Sequence, residues 1–97
     1  MDDRPVAPDE FAARLRSLRP LVDRHEASWF EVLTALALDH GREEGVEVLV
    51  CETGLGGRLD ATNALPALAT LLVSVSLDHQ RILGENIAEI TAEKLGL

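Results

Sequence analysis

Apolar positions recur at helical spacing in the first part of the chain. Phe11, Leu15 and Leu18 lie three or four residues apart, which predicts one apolar face of a helix. Pro8 precedes them, followed by two acidic residues, and both features suit the first turn of a helix. The pattern predicts a helix that begins at Pro8 and ends or kinks at Pro20.

Two further helices are predicted from their capping residues. Ser28 is followed three residues later by Glu31, which is the pattern of a capping box, and the helix that starts there should stop at Gly41 or Gly45. The last helix should begin near Asn86.

Two short apolar runs, 46–51 and 70–75, are rich in β-branched residues and predict strands. The segment between them suits a parallel crossover better than a hairpin turn. The order helix–strand–loop–strand–helix predicts an α/β fold with a parallel sheet covered on both faces. Because two strands alone do not form a stable sheet of this kind, we expect a segment of a larger domain or a marginal fold.

Charge and cysteine content limit the possible partners and the compartment. The 97-residue chain carries 9 basic and 17 acidic side chains, so its net charge is 9 − 17 = −8. This balance argues against binding to nucleic acid or to an anionic membrane, and no apolar run is long enough to span a bilayer. Cys51 is the only cysteine, which favours a reducing, cytoplasmic setting, and its apolar neighbours predict a buried, inert thiol.

Acidic and imidazole side chains follow the two predicted strands. Glu52 comes after the first strand, and Asp78 and His79 come after the second. Parallel sheets bind ligands beyond the carboxyl ends of their strands, so these residues are candidates for a metal or phosphate site. The alternatives are a solvated carboxylate at Glu52 and a capping or surface histidine at His79.

Three glycines, Gly54, Gly56 and Gly57, lie in the loop after the first strand. They would let the backbone approach a ligand closely, but they match neither the Rossmann nor the Walker pattern and suit an irregular loop equally well.

The polar residues of the same loop are open to two interpretations. Arg58 could pair with Asp60 or bind an anion. Asp60 and Asn63 could shape the loop through their own backbone, whereas Thr62 or Asn63 could hold a substrate.

Lys94 is the only lysine of the chain, and its spacing places it on the same face as Ile87 and Ile90. It could extend to solvent near the helix C-terminus or point into a site.

Four ordered motifs together resemble the Mur ligase superfamily, in particular its folylpolyglutamate synthase and dihydrofolate synthase branch. They comprise residues 30–37, 52–63, 76–84 and 92–96. The resemblance implies a partial three-layer parallel sheet of the central, P-loop NTPase-like domain, without the P-loop strand. It implies an N-terminal helix and linker over 1–27 and a partial central domain over 28–97.

The resemblance also implies an activity and its residues. Such enzymes activate a folate or dihydropteroate carboxylate with ATP and join it to L-glutamate through an acyl phosphate. Glu52 and His79 would ligate magnesium, Lys94 would be carbamylated, and Lys94 and His79 would be catalytic. The substrate-binding positions would be Gly56, Gly57, Arg58, Asp60, Thr62 and Asn63.

The nucleotide loop of the family precedes this region, and its C-terminal domain follows it. We therefore expect the 97-residue chain to be inactive alone. Full-length members of the family are usually monomeric. The alternative is a non-catalytic acidic interaction module, a degenerate remnant that kept the strands but lost the chemistry.

Overall fold

A computed structural model describes residues 5–97, and the regular structure within this range is helical. The helices are α1 (Pro8–His25), α2 (Trp29–Glu43), a 3-10 turn (Ala61–Ala64), α3 (Gln80–Leu83) and α4 (Ile87–Lys94). The chain divides into two compact units, of which the first ends at Val50 and the second comprises Cys51–Leu97.

Helix α1 begins as predicted but does not end at Pro20. Pro8 occupies its first turn, and the helix continues through Pro20 to His25. A proline inside a helix removes one backbone donor, but the bonds on either side remain available to hold the turn. The helix closes where Glu26 adopts a left-handed conformation with φ of 51° and the N–H of Ala27 donates to the carbonyl of Val22.

Helix α2 confirms the predicted capping box. The backbone N–H of Glu31 donates to Oγ of Ser28 at 3.3 Å, and the N–H of Ser28 donates to Oε2 of Glu31 at 2.7 Å. The hydrogen bonds from Ser28 lower the pKa of the Glu31 carboxyl. Gly41 is buried inside the helix, which ends at Glu43, and Gly45 follows with φ of 64°. Gly45 is therefore the glycine that marks the end.

The first unit is held together by apolar and ionic contacts between α1 and α2. Val32 and Leu36 of α2 are buried. Arg14 of α1, whose side chain is only 15% exposed, reaches Oε2 of Glu43 at 2.6 Å and Oδ2 of Asp39 at 3.4 Å. These bonds tie the middle of α1 to the C-terminal half of α2.

The predicted α/β sheet is not present in the described part of the chain. Neither 46–51 nor 70–75 forms a strand, and Val50 and Val73 are 90% and 85% exposed. The prediction of a partial parallel sheet is therefore wrong. A strand is stabilised by a neighbouring backbone, and these apolar runs lack one among residues 5–97. Cys51 is likewise exposed, which contradicts the expectation of a buried thiol.

The second unit packs α3 against α4. Leu83 of α3 is buried and Ile90 of α4 is 0% exposed. Helix α4 has Asn86 as its N-cap, as predicted, because Oδ1 of Asn86 accepts from the N–H of Glu89 at 3.0 Å. The four-residue helix α3 was not predicted.

No helix between residues 5 and 97 has both the length and the apolar character needed to cross a membrane.

Ser28→Ala is expected to lower the free energy of unfolding by about 1 kcal/mol, because it leaves the N–H of Glu31 without its cap. Urea unfolding followed by far-UV circular dichroism measures the change. Ser17→Ala is the matched control, since Ser17 lies inside α1 and its hydroxyl donates to the carbonyl of Arg14 rather than capping a helix. An equal loss in both variants would contradict the capping role.

Candidate functional site

The carboxylate of Asp60 organises the loop that contains most of the predicted site residues. Its Oδ2 accepts the backbone N–H groups of Gly54 at 3.0 Å and Leu55 at 2.8 Å. Its Oδ1 accepts the N–H of Thr62 at 2.9 Å and the Thr62 hydroxyl at 2.6 Å. One side chain therefore fixes both arms of the loop, which confirms the loop-shaping interpretation of Asp60.

These bonds favour the charged form of Asp60. Partial burial acts to raise its pKa, but the hydrogen bonds from Thr62, Leu55 and Gly54 outweigh it, so the pKa lies below the ordinary value of 3.8. Asp60 is consequently an anion at neutral pH, with both oxygens engaged in the loop.

Arg58 pairs with Glu93, which is not one of the predicted site residues. Its Nε and Nη2 lie 3.1 Å and 2.9 Å from Oε1 of Glu93, and its backbone N–H donates to the carbonyl of Glu93 at 2.9 Å. The alternative in which Arg58 pairs with Asp60 is therefore not the one observed. Arg58 and Glu93 are 35 positions apart, so no local pattern indicates this contact.

Asn63 adds a second link between the loop and the end of α4. Its Nδ2 lies 3.1 Å from the carbonyl oxygen of Arg58 and 3.1 Å from that of Gly96. The amide thus bridges two backbone segments, which agrees with the interpretation that Asn63 shapes the loop.

Two glycines allow the loop and α4 to approach closely. A Cβ atom at Gly57 would lie 2.7 Å from the carbonyl oxygen of Lys94 and 2.8 Å from that of Glu93. A Cβ atom at Gly96 would overlap the side chain of Arg58. In the structure these glycines therefore make room for backbone and for a neighbouring side chain. A substrate contact at Gly56 or Gly57 stays a prediction.

The predicted metal ligands lie on exposed backbone. Glu52 is exposed, and His79 is the exposed residue that precedes α3. His79 has a left-handed conformation with φ of 50°, its N–H donates to Oδ1 of Asp78 at 2.7 Å, and its Nε2 lies 3.7 Å from Oδ2 of Asp78. Left-handed backbone outside glycine is uncommon and is enriched at functional sites.

No group of three or more His, Cys, Asp or Glu side chains converges on a metal position within residues 5–97. A magnesium ion does not require such a group, because it is commonly held by one or two protein carboxylates together with water and phosphate oxygens. Glu52 fits that chemistry as an exposed carboxylate. The imidazole of His79 is the less suitable donor, and the shared ion stays a prediction.

Lys94 is the last residue of α4 and is half-buried, one turn after the fully buried Ile90. Its carbonyl oxygen lies against Gly57. The backbone of the only lysine is thus adjacent to the loop that Asp60 organises. The catalytic role of its amino group stays a prediction.

Comparison with known proteins finds similarity to dihydrofolate synthases and folylpolyglutamate synthases. The chain is 37% identical over its full length to the dihydrofolate synthase/folylpolyglutamate synthase of Mycobacterium tuberculosis. It is 36% identical over 96% of its length to the protein of the same name from Bacillus subtilis, and 41% identical over 70% to the folylpolyglutamate synthase of Lacticaseibacillus casei. No family profile and no solved structure matches it.

The chain belongs to the folylpolyglutamate synthase and dihydrofolate synthase branch of the Mur ligases. It spans 23% of the length of the Mycobacterium tuberculosis and Bacillus subtilis relatives, so it corresponds to a segment of such enzymes.

Acidification is expected to weaken the loop through Asp60. A carboxyl whose pKa is lowered by folding stabilises the fold above its unfolded pKa, and this contribution is lost as the pH falls through the folded pKa, below 3.8. The amide resonances of Gly54, Leu55 and Thr62 should therefore shift together in an NMR titration over that acid range.

Asp60→Asn should shift the amide resonances of Gly54, Leu55 and Thr62 at neutral pH, without acidification. A carboxamide has one acceptor oxygen, so one pair of donors would face an NH₂ group. Asp23→Asn is the control, because Asp23 is exposed and pairs with Arg19 four residues away, outside the loop. Three amide resonances that stay fixed in acid would contradict the role of Asp60.

Gly57→Ala and Gly41→Ala should change stability in opposite directions. The first places a methyl group against two carbonyl oxygens and should destabilise the protein by about 1–3 kcal/mol. The second lies inside α2 with its nearest neighbours 3.9 Å away, and should stabilise by about 0.5–1 kcal/mol. Urea unfolding of both variants tests the pair, and a Gly57→Ala variant that is as stable as the unsubstituted protein would show that close approach at Gly57 is not limiting.

Proposed function

We propose that the chain is the part of an ATP-dependent ligase that joins L-glutamate to a folate or dihydropteroate carboxylate through an acyl phosphate. The identity to dihydrofolate synthase/folylpolyglutamate synthases over the full chain carries this proposal. The ordered loop at 52–63 supports it, because that loop coincides with the longest of the resembling motifs.

In this proposal Glu52 and His79 would hold a magnesium ion, a cation that commonly has only one or two protein ligands. The ion would neutralise charge that develops during phosphoryl transfer and acyl attack. The protein's own contribution is to present an exposed carboxylate at Glu52 and an exposed imidazole at His79.

Binding of the anionic substrates is assigned to the loop. Arg58 is the basic side chain of the loop, and it is half-exposed despite its bond to Glu93. The hydroxyl of Thr62 is already oriented by Asp60, so it could accept a hydrogen bond from a substrate without reordering. Gly56, Gly57 and Asn63 complete the set of proposed substrate positions.

The proposed setting is cytoplasmic, since the only cysteine is an exposed free thiol, which suits a reducing compartment. The acidic chain, with net charge −8, is proposed to act without nucleic acid or membrane partners.

The proposal predicts no ligase activity from the isolated chain, but activity once it is placed in the context of a relative. The equivalent segment of the Bacillus subtilis enzyme, aligned over 96% of this chain, would be replaced by residues of this protein. The chimera should form folyl-glutamate and ADP. Glu52→Gln in the chimera should lower kcat by about 100-fold or more, because the proposed magnesium ion would lose its carboxylate ligand.

Two controls make the result decisive. Glu47→Gln removes a neighbouring exposed carboxylate outside the loop and should leave kcat unchanged. A folded chimera without activity, shown by an intact unfolding transition, would favour the non-catalytic interaction module. Turnover by the isolated chain above that of its own Glu52→Gln variant would contradict the expected inactivity.

A further inference from the structure

Three residues of the glycine-containing loop contact the C-terminal end of α4. The guanidinium of Arg58 donates twice to Oε1 of Glu93, and the backbone N–H of Arg58 donates to the carbonyl of the same residue. Asn63 bonds the carbonyl oxygen of Gly96. Gly57 faces the carbonyl oxygens of Glu93 and Lys94 at distances that exclude a side chain.

We propose that Arg58 and Glu93 are positioning residues that bind the loop to the end of α4 and so fix the placement of Lys94. We call their ion pair, together with the hydrogen bond from the Arg58 N–H to the Glu93 carbonyl, the latch. Glu93 directly precedes Lys94. The latch holds the peptide group between them, because the N–H of Arg58 donates to the carbonyl of Glu93. The inference rests on the proposed function only for the role given to the Lys94 amino group.

The geometry explains how the loop holds the end of α4. Helix α4 has only eight residues, and its last turn lacks further helix to hold its carbonyl groups. The N–H of Arg58 satisfies the carbonyl of Glu93, and the amide of Asn63 satisfies that of Gly96. Without the latch, the final turn would fray within the site, and Lys94 would sample many orientations.

The side chains of the pair are unequally exposed, 54% for Arg58 and 28% for Glu93. An ion pair of this exposure stabilises modestly. Breaking this ion pair is therefore expected to change how often the loop separates from α4, with little change in the free energy of global unfolding. The test must measure that local separation.

The reactivity of the Lys94 amino group can be measured for that one residue, because Lys94 is the only lysine of the chain. Its acylation by an N-hydroxysuccinimide ester, located by peptide mass spectrometry and followed against pH, reports the accessibility and basicity of one amino group. Hydrogen exchange at the amide of residue 58 reports the latch itself, since that N–H donates to the carbonyl of Glu93.

Arg58→Glu and Glu93→Arg should each accelerate both exchange at residue 58 and acylation of Lys94, by up to about fivefold, the upper end for an exposed ion pair. The double variant Arg58→Glu/Glu93→Arg should restore both rates. A through-space effect of charge alone would move the pH profile of Lys94 in opposite directions in the two single variants, whereas release of the latch moves the acylation rate in the same direction.

Arg19→Glu is the matched control, because it reverses the charge of an exposed ion pair within α1 and should leave Lys94 unchanged. Opposite shifts in the single variants, unchanged rates, or a double variant that does not recover would each overturn the latch. These measurements require no substrate, so a failed latch beside an active chimera overturns only this inference, and an intact latch beside an inactive folded chimera overturns only the proposed function.

Discussion

The second unit depends on the way one carboxylate satisfies four donors. Asp60 accepts two backbone N–H groups that precede it and the N–H and hydroxyl of a residue that follows it. A loop with three glycines has a high conformational entropy when unfolded, and such a loop adopts one shape only if specific bonds hold it. The ordered loop then presents Arg58 and Asn63 to the end of α4, so the contacts with α4 follow from the order that Asp60 imposes.

The elements that were predicted correctly have short-range signals. The capping box of α2 lies within four residues, Pro8 and Asn86 each mark a helix start on their own, and Gly45 marks an end. Each signal is a hydrogen bond or a backbone conformation that forms within one or two turns. Such features are readable from the sequence because the residues that make them are neighbours in it.

The predicted strands failed for the opposite reason. Their β-branched composition describes a segment that suits a sheet, but a strand is defined by the backbone beside it, and composition does not supply that backbone. In the described chain the segments 46–51 and 70–75 are without regular structure, with most of their apolar side chains in solvent. The same limit applies to the partner of Arg58, which lies 35 positions away and is chosen by the fold.

A glycine in this loop could allow the backbone to approach either a ligand or another part of the protein. The sequence alone does not distinguish the two. Gly57 lies against carbonyl groups of α4, and Gly96 lies against the side chain of Arg58. The loop and the helix therefore limit one another's position. A ligand at this loop would meet a surface whose shape is already set by that packing. Substitutions at Gly57 or Gly96 would therefore change the position of Lys94 as well as the surface offered to a substrate. Measuring the reactivity of Lys94 in the same variants separates these two effects on the kinetics.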